Sequence, residues 1–271
     1  MNKGVLKLGF VGCGKMASAI IKGILGSCSA KNFEIIGSEV NTEIAQLASD
    51  RLGIEVISDN MELAKRVDVL LIATKPMYVL NVLEEIKPVF SSDKLLISIA
   101  AGVSTSKINS VLPQHRVVRV MPNTPALLGL GMAGVTKGTL ATDEDAEFVL
   151  DLMSTVGKAI LVEEKQMDII TAISGSGPAF FYQVIEDMAR AGEKLGLDYE
   201  KSLLLATQTA LGSAKMVENR GELTVQNLID NVATKGGCTF VGISVMNEEN
   251  SDKLFYDVIA QTTQKASELG K

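Results

Sequence analysis

The chain has 271 residues, 46% hydrophobic and 21% charged, enough to bury a sizeable core in one large domain or two modest ones. A formal charge of −6 with no basic tract argues against nucleic acid as the main partner. No apolar run approaches bilayer-spanning length, and Met1–Lys7 lacks the apolar region of a signal peptide, so the expected setting is cytoplasmic with no membrane partner.

The first half alternates β-branched runs with helical patterns. Strands are expected at Val5–Val11, Phe33–Ile36, Val67–Ala73, Leu95–Ile99, Val117–Met121, Ala133–Thr136 and Ala159–Leu161, and helices at Lys15–Leu25 and Glu43–Leu52. Val67–Ala73 is almost continuously apolar, as suits a strand buried on both faces of a parallel sheet. Such alternation implies a doubly wound α/β sheet. Beyond Glu163 the strand patterns stop, and long helices are expected at Pro178–Leu195, Tyr199–Asn219 and Lys253–Leu269. The reading divides the chain into a dinucleotide-binding domain, 1–164, and an all-α domain, 165–271.

Cys13, Cys28 and Cys238 are odd in number and scattered, so neither a disulfide framework nor a metal site is indicated. His115 is the single histidine; in Pro113-Gln114-His115-Arg116 it reads as a solvated loop residue.

Gly12-Cys13-Gly14-Lys15-Met16-Ala17 directly follows a strand and opens a helix, the setting that turns a weak glycine motif into a dinucleotide fingerprint. Gly12 would make the tight turn, Gly14 would admit a pyrophosphate to the helix N-terminus, and Ala17 would permit close helix packing. Ser38 and Glu39 end the next strand, with no arginine beside them in sequence. A carboxylate there accepts from a ribose 2′-hydroxyl and repels a 2′-phosphate, which favours NADH over NADPH. Two later strand ends should complete the cleft: Ala73-Thr74-Lys75-Pro76 and Ile99-Ala100-Ala101-Gly102.

Far downstream, Thr234-Lys235-Gly236-Gly237-Cys238-Thr239 enters an apolar segment. Paired glycines at a helix start suit a pocket for a small carboxylate. A helix cap with a glycine turn is the structural alternative. Ser174-Gly175-Ser176-Gly177-Pro178 reads foremost as a tight helix entry.

Four segments together resemble pyrroline-5-carboxylate reductases: Gly12–Ala17, Met121-Pro122-Asn123-Thr124-Pro125-Ala126, Ser174–Ala179 and Asp230–Thr239. The resemblance implies a Rossmann-type sheet followed by an all-α dimerisation domain. It also implies a homodimer or larger homo-oligomer, and NADH or NADPH as cofactor. The reaction would be hydride transfer to the imine of 1-pyrroline-5-carboxylate, giving L-proline. Carried over by resemblance, Gly237 and Cys238 would offer amides to the substrate carboxylate, Thr234 would flank the pocket, and Thr239 would act at the imine nitrogen. Gly12, Cys13, Gly14, Lys15, Met16, Ser38, Glu39, Asn60, Ala73, Thr74, Lys75, Pro76, Ile99, Ala100 and Ala101 would contact the cofactor.

Two positions depart from that pattern: the family commonly has proline at Lys235, and threonine or alanine at Cys238. A related cyclic imine carboxylate as substrate therefore stays open, as does a non-catalytic NAD(P)H-sensing role. Lys215 and Asn219 share the spacing of the catalytic pair of β-hydroxyacid dehydrogenases, but they lack its glycine-rich lead-in and read as an exposed helix end.

Overall fold

The computed structural model describes residues 4–270; Met1–Lys3, part of the segment read above for a targeting signal, lie outside it. Two compact units emerge: one contains the chain up to Ser176 and returns from Thr262 onward, the other is Gly177–Gln261.

The first unit holds eight strands: β1 (Leu6–Val11), β2 (Phe33–Ser38), β3 (Glu55–Ile57), β4 (Val69–Ile72), β5 (Leu95–Ser98), β6 (Arg116–Met121), β7 (Gly131–Lys137) and β8 (Gly157–Leu161). Between them lie α1 (Lys15–Leu25), α2 (Thr42–Leu52), α3 (Asn60–Arg66), α4 (Pro76–Ile86), α5 (Thr105–Val111) and α6 (Asp143–Ser154), with the short α7 (Met167–Ile170) after β8. The strand order is β3-β2-β1-β4-β5-β6-β7-β8. Every neighbouring pair is parallel except β6–β7, which is antiparallel. The doubly wound sheet expected from the alternation is thus observed, with this one pair departing from parallel pairing. The departure follows from the short β6–β7 link, a single 3-10 turn at Thr124–Leu128, since a parallel return needs a full crossover.

Each side chain of β4 is buried, and the side chains alternate between two cores. Val69 and Leu71 join the cluster that includes Ile20, Ile21 and Ile24 of α1 and Val149 and Leu152 of α6. Leu70 and Ile72 join the opposite cluster, with Val79 and Leu83 of α4 and Ile108 of α5. That is the physical content of a doubly wound sheet: period-2 alternation with both faces covered. β3 escaped the sequence reading because three residues with an exposed first position carry too short a pattern.

His115 corrects another expectation. It is buried, its Nε2 lies 2.8 Å from the Phe90 carbonyl oxygen, and its ring stacks on Phe90 at 5.3 Å. Strand β6 begins immediately after it, and Phe90 covers the ring.

The second unit is helical: α8 (Gly177–Lys194), α9 (Tyr199–Glu218), α10 (Val225–Val232) and α11 (Cys238–Glu248), with α12 (Ser251–Leu269) carrying the chain back to the first unit. α8 and α9 pack through small residues, with Ala189, Ser202 and Ala206 buried. By contrast, α10 and α11 bury no residue, and Phe181, Leu204, Leu205 and Val241 are at least 60% exposed. Amphipathic helices with their apolar positions uncovered lack half of a core. Lys215 and Asn219 sit at the exposed end of α9, where Lys215 pairs with Glu218 at 2.6 Å and Asn219 bonds the Lys215 carbonyl. Among the described residues, no helix is long and apolar enough to cross a membrane.

Leu71 is fully buried against both α1 and the central strands. Leu71→Ala is expected to lower unfolding free energy by about 2–5 kcal/mol in urea titrations. A loss below roughly 1 kcal/mol would show that β4 is not the packed centre of the sheet.

Candidate cofactor cleft and carboxylate loop

Strand order reverses between β1 and β4: the chain runs outward from β1 to β2 and β3, then returns to the other side of β1. At such a switch the loops diverge and leave a crevice at the carboxyl ends of the strands. A cavity of about 580 Å³ lies there.

Gly12 makes the turn out of β1 with φ of +90°, and a Cβ at this position would lie 3.1 Å from the Ala73 carbonyl oxygen. Only glycine meets both conditions comfortably. Gly14 then caps α1 with no side-chain hydrogen bond, and nothing lies within 4 Å of where its Cβ would be. The first amides of α1 are thus left for a ligand, and the open space lets one approach them.

Eight of the anticipated cofactor residues line this cavity: Gly12, Gly14, Ser38, Glu39, Asn60, Ala73, Thr74 and Lys75. Cys13, Lys15, Met16 and Pro76 belong to the same two turns without lining it: Cys13 is buried, Lys15 and Met16 open α1, and Pro76 is the first residue of α4. Ile99, Ala100 and Ala101 follow β5, one strand farther along, and are absent from the cavity wall. The Ile99 amide donates to the Ile72 carbonyl at 3.1 Å, which carries the row of strand ends across to β5.

Polar contacts order the side of the cavity beside the end of β2. Glu39 Oε1 accepts from the Cys13 amide at 2.6 Å, leaving its second carboxylate oxygen uncommitted to that bond. Ser38 Oγ donates to Asn60 Oδ1 at 2.8 Å, and Asn60 Nδ2 donates to Glu85 Oε2 at 3.0 Å. Thr74 Oγ1 is buried and has no partner, in a residue of the cavity wall. An orphaned hydroxyl there fits a cleft shaped for a polar ligand. Burial, reinforced by Glu39 and opposed by Arg51, pushes the Cys13 thiol up to about 12, so it stays protonated.

Two features escaped the sequence. Tyr78, Asn81, Val82 and Glu85 of α4 also line the cavity; their helical spacing was the available signal, hidden because Val82 also belongs to the core. The other is an arginine. Arg51, in the last turn of α2, reaches the Cys13 carbonyl at 2.7 Å and Ser18 Oγ at 3.0 Å. The fingerprint turn therefore has a guanidinium beside it, although none is near Glu39 in sequence.

Asn123 joins two of the motifs. Its Nδ2 donates to the Ser174 carbonyl at 3.0 Å and its Oδ1 accepts from the Met132 amide at 2.8 Å. Thr171–Gly175 is a π-helical turn, closed by the Ser176 amide on the Thr171 carbonyl at 2.8 Å.

The candidate carboxylate loop, residues 234–239, belongs to the second unit. The Gly237 amide closes a turn on the Thr234 carbonyl at 2.9 Å, and Gly236 has φ of +81°. Gly237 caps α11 without a side-chain bond, so Cys238 and Thr239 are its first two residues. Thr234 and Cys238 are exposed, while Gly237 and Thr239 are half-buried. Main-chain amides at a helix start offer an anion site whatever the side chains.

The family model described as pyrroline-5-carboxylate reductase dimerisation matches residues 164–269, and one described as NADP oxidoreductase, coenzyme F420-dependent, matches residues 7–102. A pyrroline-5-carboxylate reductase of Methanosarcina acetivorans is 38% identical over 98% of both chains. A solved structure of a pyrroline-5-carboxylate reductase from Coxiella burnetii superposes with a TM-score of 0.92 at 32% identity, covering 98% of this chain and 99% of the other. That of Plasmodium falciparum pyrroline carboxylate reductase with NADP bound gives 0.85 at 33% identity over the whole of both chains. End-to-end similarity at this level, over a sheet and helices of matching layout, establishes that the chain belongs to the pyrroline-5-carboxylate reductase family.

Proposed function

We propose that the protein is an NAD(P)H-dependent reductase of 1-pyrroline-5-carboxylate that yields L-proline, the closing step of proline biosynthesis. The observation that carries this reading is the glycine turn opening onto the strand-switch cleft, in a chain related end to end to such reductases. Residues 1–164 supply the dinucleotide site, and 165–271 supply self-association and the carboxylate loop. The uncovered apolar helices of the second unit support a homodimer. Cytoplasmic residence accords with three unpaired thiols, Cys13, Cys28 and Cys238; recovery in a secreted or membrane fraction would oppose it.

The bound nicotinamide supplies a hydride. Everything else asked of the chain is positioning. A protonated C=N is already electrophilic, and the product amine keeps its proton near neutral pH, so no strong acid is needed. The first amides of α1 hold the pyrophosphate, and Ser38, Glu39 and Asn60 set the adenosine ribose. Ala73, Thr74, Lys75 and Pro76, with Ile99, Ala100 and Ala101, line the path toward the nicotinamide. The amides of Gly237 and Cys238 hold the substrate carboxylate, Thr234 flanks it, and the Thr239 hydroxyl orients the imine nitrogen.

Glu39 favours NADH, because its free oxygen accepts from a 2′-hydroxyl and its charge repels a 2′-phosphate. Arg51 does not reverse that preference, since its hydrogen bonds go to Cys13 and Ser18. A related imine is the second reading, favoured by Lys235, whose charge suits an additional carboxylate, and by Cys238.

Parallel assays with NADH and NADPH, each on 1-pyrroline-5-carboxylate and its six-membered homologue, test the assignment. Fast turnover of the five-membered ring with NADH is expected. Turnover of the six-membered ring alone would transfer the assignment to the second reading, and cofactor binding without turnover of either would favour a sensor. Glu39→Gln keeps an acceptor for the Cys13 amide but removes the charge. It should raise the NADPH-to-NADH ratio of kcat/KM about tenfold or more, equivalent to roughly 1.4 kcal/mol; an unchanged ratio would remove Glu39 from cofactor choice. Thr239→Ala should lower kcat about tenfold, near the value of one hydrogen bond, with NADH affinity intact. Equal turnover in that variant would exclude Thr239 from the reaction.

A further inference from the structure

The loop after β5 is short on side chains. Ala100 and Ala101 carry only methyl groups, and Gly102 carries none. On one side it is pinned by the Ile99 amide on Ile72 and by the Ala100 amide, 3.4 Å from Ser98 Oγ. On the other it leads into Ser104, whose Oγ accepts from the Lys107 amide at 3.2 Å to cap α5.

The last turn of α12 meets this loop main chain to main chain. Gly102 has φ of +73°, and a Cβ there would lie 3.2 Å from the Leu269 carbonyl oxygen and 3.5 Å from the Gly270 nitrogen. Reciprocally, a Cβ on Gly270 would lie 3.3 Å from the Gly102 carbonyl oxygen. Two glycine main chains therefore meet with no side chain between them. The last turn of α12 is itself held in place: Ala266 is buried, and the Gly270 amide is shared between the Ala266 and Ser267 carbonyls, both at 3.2 Å.

We infer that the terminal turn of α12 is a positioning element for the cofactor: Leu269 and Gly270 back the Gly102 main chain and so fix where Ala100 and Ala101 meet the nicotinamide half. The inference rests on the reductase reading, which places those two residues against the cofactor. Ala100 and Val103 anchor the loop in the core on either side, and between them Gly102, with no side chain to pack, takes its position from the main chain that supports it. Hydride transfer is sensitive to displacements of about 1 Å, so loss of that support appears in kinetics. Gly102, Leu269 and Gly270 are positioning residues; none touches the reacting atoms.

The test compares Gly102→Ala, Gly270→Val and a chain ending at Ser267 with the wild type. NADH affinity is read by fluorescence titration, kcat and KM by steady-state assay, and stability by thermal unfolding. Gly53→Ala is the control: Gly53 has a similar left-handed φ of +69°, but nothing lies within 4 Å of its Cβ position. Gly102→Ala and the shortened chain should weaken NADH binding about tenfold and lower kcat by a comparable factor. Gly270→Val should do so more mildly. The control should lose only a few degrees of melting temperature, about 2–4 °C, with NADH affinity unchanged. If the shortened chain fails to fold, the two glycine variants decide. Unchanged NADH affinity and kcat in both, or a lower melting temperature alone, would overturn the inference. The binding readout needs no imine, so a wild type that binds NADH but reduces no imine contradicts the reaction and leaves this inference measurable. A wild type that binds neither cofactor would overturn both.

Discussion

The close approach of the β1–α1 turn to the end of β4 is the constraint on which the rest depends. Gly12 brings its Cα to within a methyl group of the Ala73 carbonyl because the two strands are hydrogen-bonded neighbours whose helices leave toward opposite faces. That divergence opens the crevice, and the same divergence requires cores on both faces. β4 meets the second demand by burying all four of its side chains in alternation. Fold and cleft thus follow from one arrangement of main chain, and side chains tune what the cleft holds.

The second unit answers a different requirement. Its helices carry apolar residues at helical spacing, yet α10 and α11 bury none of them. A helix gains most of its stability from packing an apolar face. Self-association supplies what such helices lack, and it explains why a region named for dimerisation covers residues 164–269. The loop at the start of α11 turns on Gly236, whose φ is +81°, and Gly237 caps the helix without a side-chain bond.

Much of this was legible in the residues. Continuous apolar runs marked the central strands, and a glycine turn between strand and helix marked the cleft, because those features are local. What escaped was non-local or short. Arg51 lies well beyond the glycine turn in sequence and reaches it only because α2 folds back along the sheet. His115 sits among polar neighbours, yet Phe90 supplies both a stacking surface and a carbonyl. The antiparallel β7 is dictated by the length of the link before it, which strand propensity does not encode. Similarly, α10 and α11 lacked a long periodic stretch, although the glycine pair between them did read as a helix start, and Gly237 caps α11. The roles of individual site residues rest on where the main chain places them beside the carried-over pattern.

The most direct measurement follows the hydride itself. With NADH deuterated at C4 on the transferred face and 1-pyrroline-5-carboxylate as substrate, the account predicts proline carrying one deuterium at the δ carbon. Proline formed without deuterium at that carbon, or no proline from an enzyme that binds both ligands, would contradict it.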